Sequence, residues 1–407
     1  MLINPPMTNL NVPNASPPLG LMYLAAALET HKHEVTILDL CDTKKYLVVS
    51  AGMIGLREWD AVGVTATTAQ YNKAKQILGL VTNGAIKLIG GPHATACPEL
   101  VRYELQDVTV LEGESEETIC DYLAGKRYTS ISSPPDVNRY PIPARHLLEL
   151  GKYKPEVSGT KSTSLLTSRG CPFNCAFCYK TTGRTIRYRD IDNIVQEITD
   201  CKQKYGITNF VIGDDNFLTH KARALKVLES IKNLGITFKC VGRSDLVDTE
   251  ILDALKASGC TQVDYGIESG SNRMLKLMNK GTRVSQNYHA IEMTQQAGLI
   301  AKAYMIVNFP GEDDISIRLT KNFITHAKPD KWLLSQFSPL PGCDVWKRPK
   351  HYGVTRISKD WDDYVLAGIG GKGGITFETG YLDKERQQEY HDELYNHMVD
   401  TLGAQGR

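Results

Sequence analysis

The chain has 407 residues, of which 47 are basic and 46 acidic, for a formal charge of +1. That length accommodates two domains and a tail, and so even a balance supplies no strong field to draw the protein to nucleic acid or an acidic membrane. The longest apolar stretch near the start, Leu19 to Leu28, is too short to span a bilayer and follows no basic leader, so a cytoplasmic protein without a membrane span is expected. Ten cysteines scattered over so long a chain argue for reduced thiols and against a disulfide scaffold.

In chain order, short apolar runs at Met1 to Asn4, Val35 to Asp39, Ala61 to Thr65, Lys87 to Gly90 and Val108 to Leu111 read as strands, with helical patterns near 18–31, 69–83 and 115–124. Such alternation predicts a Rossmann-like, doubly wound α/β domain over residues 1–125, with ligands at the carboxyl ends of its parallel strands. Residues 126–163, with Ser132, Ser133, Pro134, Pro135, Pro141 and Pro143, read as a linker. Alternation resumes over 164–342, with strands at Ser164 to Ser168, Asn209 to Gly213, Thr237 to Gly242, Gln262 to Ile267, Ile300 to Val307 and Lys331 to Phe337. Helices are expected between them, for instance at Lys221 to Asn233 and Thr249 to Ser258, so six units predict a partial (β/α)6 barrel of TIM type. The remainder, 343–407, has a glycine run from Gly368 to Gly374 and a charged amphipathic helix near Lys384 to Leu402, and is expected to be short and mostly helical on the substrate side.

Cys171, Cys175 and Cys178 form a C-x3-C-x2-C cluster just after the first strand of the second set. Ten cysteines placed at random would give such a triplet about 0.006 times per chain, so the spacing requires a cause. Soft thiolates favour iron–sulfur or zinc. Structural zinc wants four protein ligands and no second pair is nearby, whereas three thiolates on a four-iron cubane leave one iron open to a substrate. Gly170 and Pro172 suit a tight loop around a compact ligand.

The loop Ser168-Arg-Gly-Cys-Pro-Phe-Asn-Cys-Ala-Phe-Cys-Tyr179, with Phe177 at the aromatic position before the last cysteine, resembles that of the radical S-adenosylmethionine superfamily over about residues 160 to 345. The resemblance implies a [4Fe–4S] cluster whose open iron chelates the amino and carboxylate groups of S-adenosylmethionine. An electron then splits the S–C5′ bond, and a 5′-deoxyadenosyl radical removes hydrogen from carbon. It also implies cofactor contacts from Phe177 and Tyr179 of the loop, Asp215 after the second strand, and Arg243 and Ser244 after the third, where Asp245 completes a polar trio. Glu268, Asn308 and Gln336 follow the fourth, fifth and sixth strands. Carboxylates at strand ends also form turns, and an Arg–Asp pair is also an ordinary surface salt bridge.

Ile3-Asn-Pro-Pro6 and Pro17-Pro-Leu-Gly-Leu-Met-Tyr-Leu-Ala25 resemble the cobalamin-binding domain joined to one large branch of these radical enzymes. The implied cobalamin contacts are Asn4, Pro5, Thr65, Thr67, Thr68, Gly90, Gly91, His93, Glu112, Gly113 and Glu114. No G-x-G-x-x-G follows the first strand, which leaves a nicotinamide site unsupported. The D-x-H-x-x-G loop of many cobalamin proteins is missing too, and His93 lies in a different loop, so no histidine of this domain is expected below cobalt. Retention of the fold without the cofactor is the alternative.

The resemblance implies a cobalamin-dependent methyltransferase that uses methylcobalamin on an unactivated carbon of a small molecule, with flavodoxin or ferredoxin as electron donor. Three other uses remain: ring closure or rearrangement, methylthiolation through a second cluster on Cys41, Cys97 and Cys120, and a non-catalytic cobalamin or cluster sensor. No catalytic acid, base or hydrogen donor is assigned, and nucleic acid is not expected as a partner.

Overall fold

A computed structural model describes residues 1–7, 15–82, 84–126, 135–153, 161–365 and 374–404. Strands β1 (Leu2–Asn4), β2 (Ile37–Asp39), β3 (Ala61–Thr65), β4 (Ile86–Gly90) and β5 (Thr109–Val110) form one parallel sheet in the order β2-β1-β3-β4-β5. The order reverses direction between β1 and β3, and such a switch point opens a crevice at the strand ends. Alternate residues of each strand feed opposite faces. Leu2 and Leu88 pack with Leu21, Met22 and Leu28 of α1 (Leu19–Thr30). Ile3, Val62 and Ile89 pack on the other face with Ile54 of α2 (Tyr46–Gly55) and with Tyr71, Ala74 and Ile77 of α3 (Tyr71–Gly79). The domain is completed by α4 (Pro92–Ala96), α5 (Pro98–Glu104) and α6 (Glu116–Leu123). Of these helices α2, α4 and α5 were not expected. Pro92 and Pro98 occupy first-turn positions where proline fits a helix.

Ser132, Ser133 and Pro134 of the anticipated linker lie outside the described residues. Residues 135–153 carry three single 3-10 turns, at Val137–Arg139, Arg145–Leu147 and Leu150–Lys152. The next strand starts earlier than expected and ends earlier: β6 is Ser162–Leu165, and Ser168 belongs to a separate hairpin of β7 (Ser168–Arg169) with β8 (Arg187–Tyr188). The break has a local cause, because Thr167 gives both its amide and its hydroxyl to Asp214, at 2.6 Å each, and leaves the ladder.

The second sheet is parallel throughout, in chain order from β6 to β9 (Asn209–Ile212), β10 (Thr237–Gly242), β11 (Cys260–Glu268), β12 (Ile300–Val307) and β13 (Lys331–Gln336). Between its strands run α7 (Ile191–Tyr205), α8 (Lys221–Ile231), α9 (Thr249–Ala257), α10 (Asn272–Leu277), α11 (Val284–Gln296) and α12 (Asp314–Ala327). This is the connectivity of an open (β/α)6 barrel. The end of the chain is less helical than expected: after α13 (Asp344–Lys347) it forms an antiparallel hairpin of β14 (Val354–Ile357) and β15 (Phe377–Thr379), then α14 (Lys384–Leu402). Trp361 and Tyr364 are buried in the core of the first domain, while Tyr390, Leu394 and Met398 are buried in that of the barrel, so this region touches both. The glycine run, apart from Gly374, lies outside the described residues. Among the described residues no helix is long and apolar enough to cross a membrane.

Candidate functional site

The cysteine loop is extruded from the β7–β8 hairpin. Gly170 makes its exit possible: its φ is +99°, and a Cβ there would stand 2.3 Å from the Thr185 carbonyl oxygen. Across the loop, the Cys171 amide donates to Gly183 O at 3.2 Å. The far side is latched to the end of α10, with the Ala176 amide on Met278 O at 2.8 Å and the Asn279 side chain on Asn174 O at 2.8 Å. The three thiols are free of disulfides.

Burial raises the Cys175 thiol, and the charges of Lys280, Arg243 and Lys180 pull it back. Cys178 is open at its tip yet walled by protein, and desolvation pushes it up to about 12 within electrostatic reach of Cys175, Lys180, Cys171 and Asp215. The Lys180 ammonium is buried without a hydrogen-bond partner. An orphaned cation within electrostatic reach of Cys175 and Cys178 fits an anionic, thiolate-bound group. Among the described residues no three His, Cys, Asp or Glu side chains converge tightly enough for a single ion. Three thiols on one loop without a fourth ligand suit separate corners of a cubane.

The residues singled out after the strands fall into two groups. Asp215 stands beside the loop, where its Oδ2 accepts from the Gly170 amide and the Thr182 hydroxyl at 3.1 Å each. Its neighbour Asp214 is buried under Thr167 and Ser168 and only holds the strand end. Arg243 lies 3.8 Å over the Phe173 ring of the loop, with both its Nε and Nη2 at 2.9 Å from Asp245. Glu268, at φ +64°, pairs with Lys280 at 2.7 Å; the Lys280 ammonium in turn lies 5.8 Å over the Phe177 ring. Gly266 makes room for that pair, since a Cβ there would meet Glu268 Oε1 at 2.3 Å. Tyr179 packs against Gly342 and faces a cavity between the domains.

Three residues of the same set turn away. Ser244 gives its hydroxyl to Asn287 at 2.5 Å inside the barrel wall. Asn308 and Gln336 bond each other at 2.8 Å and both reach Gln387 of α14 in a buried network, which leaves the Asn308 Oδ1 without a partner.

In the first domain, Thr65, Gly90, Gly91, Gly113 and Glu114 line a cavity of about 280 Å³ with Gly63, Leu21, Leu88 and Tyr23. Its walls are mostly apolar or lack side chains, with Glu114, Glu116 and Arg169 along one side, and the hydroxyl of Tyr23 is buried without a partner. A flat heteroaromatic group with one polar edge fits such a slot, which is the shape of the nucleotide tail of a corrin. Thr67 and Thr68 line the second cavity, about 500 Å³, opposite Tyr179, Leu333 and Pro341.

The other expected corrin contacts are otherwise engaged. Asn4 and Pro5 are tied to Gln70 at 3.1 and 2.6 Å and line neither cavity. Glu112 pairs with Arg102. His93 is fully buried, stacked 4.2 Å from Tyr71 and edge-on to Trp361 at 4.7 Å, and desolvation pushes its pKa down to about 4. It is a neutral core residue and lines neither cavity. The Glu114 carboxylate, although at the slot, is taken by Arg169 and Arg187. Sequence reasoning missed Arg169, Arg187, Lys180 and Lys280, because nothing local distinguishes a cation whose partner arrives from another element.

Residues 7–123 match the B12 binding domain family and residues 165–324 the Radical SAM superfamily. An uncharacterized methyltransferase of Pyrococcus horikoshii is 30% identical over 87% of this chain and 83% of that protein. A protein of Methanocaldococcus jannaschii, provisionally named a methylthiotransferase, is 32% identical over 76% of this chain and 74% of its own. The fold resembles that of OxsB, a cobalamin-dependent S-adenosylmethionine radical enzyme solved with aqua-cobalamin and S-adenosylmethionine bound. The TM-score is 0.77 at 16% identity, over 96% of this chain and 65% of that one.

Fold and site therefore define an iron–sulfur radical enzyme with an accessory corrin-binding domain. The chain belongs to the cobalamin-dependent radical S-adenosylmethionine enzymes, whose cofactors are a [4Fe–4S] cluster, S-adenosylmethionine and cobalamin.

Proposed function

We propose that the protein transfers a methyl group to a poorly activated carbon of a small molecule. The observation that carries this reading is one chain holding both a three-thiol loop backed by an orphaned cation and, across the interdomain cavity, an apolar slot at the switch point of a corrin-type sheet. When bound, the cluster, the sulfonium cofactor and cobalamin supply a hydrogen-abstracting radical and a methyl donor.

In this reading Cys171, Cys175 and Cys178 hold the cluster. Asp215, Arg243 and Glu268 orient the sulfonium cofactor, and Phe177 and Tyr179 close over it. Thr65, Gly90, Gly91 and Gly113 admit the corrin tail, and Thr67 and Thr68 face the ring. Among the described residues the cavity of about 500 Å³ has no acidic lining residue and a mostly apolar wall, which favours a small organic substrate and helps exclude water. A flavodoxin or ferredoxin would provide the electron.

The name of the Methanocaldococcus relative raises methylthiolation, which needs a second cluster on amino-terminal cysteines. Here Cys41 is buried in the barrel-side core, Cys120 lies under α1, and Cys97 bonds His93 in the α4–α5 turn. These three thiols sit in three different parts of the fold, unlike the cysteines of the single loop.

Anaerobic reconstitution with iron, sulfide and hydroxocobalamin, followed by product analysis with low-potential reductant, tests the proposal. Both 5′-deoxyadenosine and S-adenosylhomocysteine are expected. The first alone would replace methyl transfer by cyclisation or rearrangement, and neither would remove the enzymatic reading.

A further inference from the structure

We propose that Arg169 and Arg187 clamp the cysteine loop to Glu114 and Glu116 of the first domain, and so set the spacing between cluster and corrin. They are positioning residues, and the inference rests on the two-cofactor function proposed above.

The two arginines face each other in the register of the β7–β8 hairpin, one on each side of the base of the loop. Both point at the β5–α6 connection of the other domain. Arg169 Nη1 lies 2.8 Å from Glu114 Oε2 and 2.8 Å from Glu116 Oε1. The guanidinium of Arg169 is held between the rings of Tyr23, from α1, and Tyr140, from the connecting segment, each 4.7 Å away. Arg187 pairs with Glu114 and also donates to Pro135 O at 2.9 Å and Thr182 O at 3.0 Å. All four charged side chains are at most 12% exposed.

Burying four charges is a poor way to gain stability, since apolar residues of similar volume often serve as well. What forked guanidiniums add is direction. The direction leads to the site: Thr182, whose carbonyl receives Arg187, gives its hydroxyl to Asp215 Oδ2, the same oxygen that accepts the Gly170 amide. A first-domain carboxylate is thus joined to the carboxylate proposed for the sulfonium cofactor through one loop residue. The other end of the clamp reaches the slot, because Glu114, Glu116, Arg169 and Thr182 all line the cavity of about 280 Å³. Away from the clamp the two domains are joined by the connecting segment, whose described part holds only single 3-10 turns, and by the carboxyl-terminal region, which packs on both cores but makes none of the clamp's contacts at the base of the cysteine loop.

The test uses full-length protein loaded with cluster and cobalamin and reduced so that both are paramagnetic. The readout is the relaxation enhancement that the reduced cluster imposes on the cob(II)alamin signal, which reports their separation. In R169M the enhancement is expected to be lost or smeared over a range of distances. Iron content, cobalamin content and the change in the cluster spectrum on adding S-adenosylmethionine should all be retained. R169K should recover part of it. E116Q, which removes a single ion pair, should give an intermediate loss and serves if R169M does not fold. Unchanged enhancement in R169M, or in E116Q when R169M is insoluble, overturns the clamp. Failure of the unsubstituted protein to take up cobalamin is a separate result, seen before any variant is made; it removes the two-cofactor function and the clamp's purpose with it.

Discussion

Glu268 occupies a left-handed backbone conformation that side chains other than glycine seldom adopt, and its carboxylate is held by Lys280 with both side chains 7% exposed. Removing one partner of such a pair strands a charge. E268Q should cost about 3–5 kcal/mol in denaturant unfolding, and adding K280M should recover much of it. His93 carries a pH signature of the opposite kind. Its imidazole is neutral in the fold down to about pH 4, whereas in the unfolded chain it protonates near 6.5, so unfolding binds a proton and stability should fall as pH drops from 6.5 towards 4. H93F, which keeps a ring between Tyr71 and Trp361, should flatten that slope in titrations of unfolding free energy. The cysteine triplet was legible because its members fall within one loop. Asp215 and Asp214 are chemically identical neighbours, and only their partners separate the one beside the loop from the one that pins a strand. That Ser244, Asn308 and Gln336 bond residues 43, 79 and 51 positions away was not legible locally.

At the scale of elements, the β7–β8 hairpin departs most from a simple barrel strand. Thr167 and Ser168 read as strand by composition, but the fully buried Asp214 takes their hydrogen bonds and turns the chain out to carry the cysteines. Gly170 is the hinge residue of that excursion. G170A should add about 1–2 kcal/mol of backbone strain on top of the collision with Thr185, and iron bound per chain after reconstitution should fall sharply while far-ultraviolet circular dichroism is kept. Helix α2 shows the other way in which local pattern misleads. It buries Ser50 and Ile54 while Val48 and Leu56 are 71% and 72% exposed, so it has no apolar–polar contrast at helical period for a reader to find.

For the whole molecule, the carboxyl-terminal region acts as a strap across both domains. Trp361, 5% exposed, contacts His93 and Tyr71 of the first domain and Trp346 and Tyr364 of its own region. Large-to-small replacement of a buried aromatic costs about 3–5 kcal/mol, so W361A should lower the unfolding midpoint. Calorimetry should then show the first domain melting before the barrel, where the unsubstituted protein gives one transition. The strap also explains why Asn308 and Gln336 are closed off, since Gln387 of α14 covers the ends of β12 and β13.

Strand and helix alternation, the order of the two domains and the cysteine loop follow from the chain itself, because apolar runs and cysteines a few residues apart are local properties. Which carboxylate faces the loop, which histidine is core, and which arginines join the domains were decided by tertiary contact. The physical reason is that a charge or amide is defined by what neutralises it, and here that partner arrives from a different element of the fold.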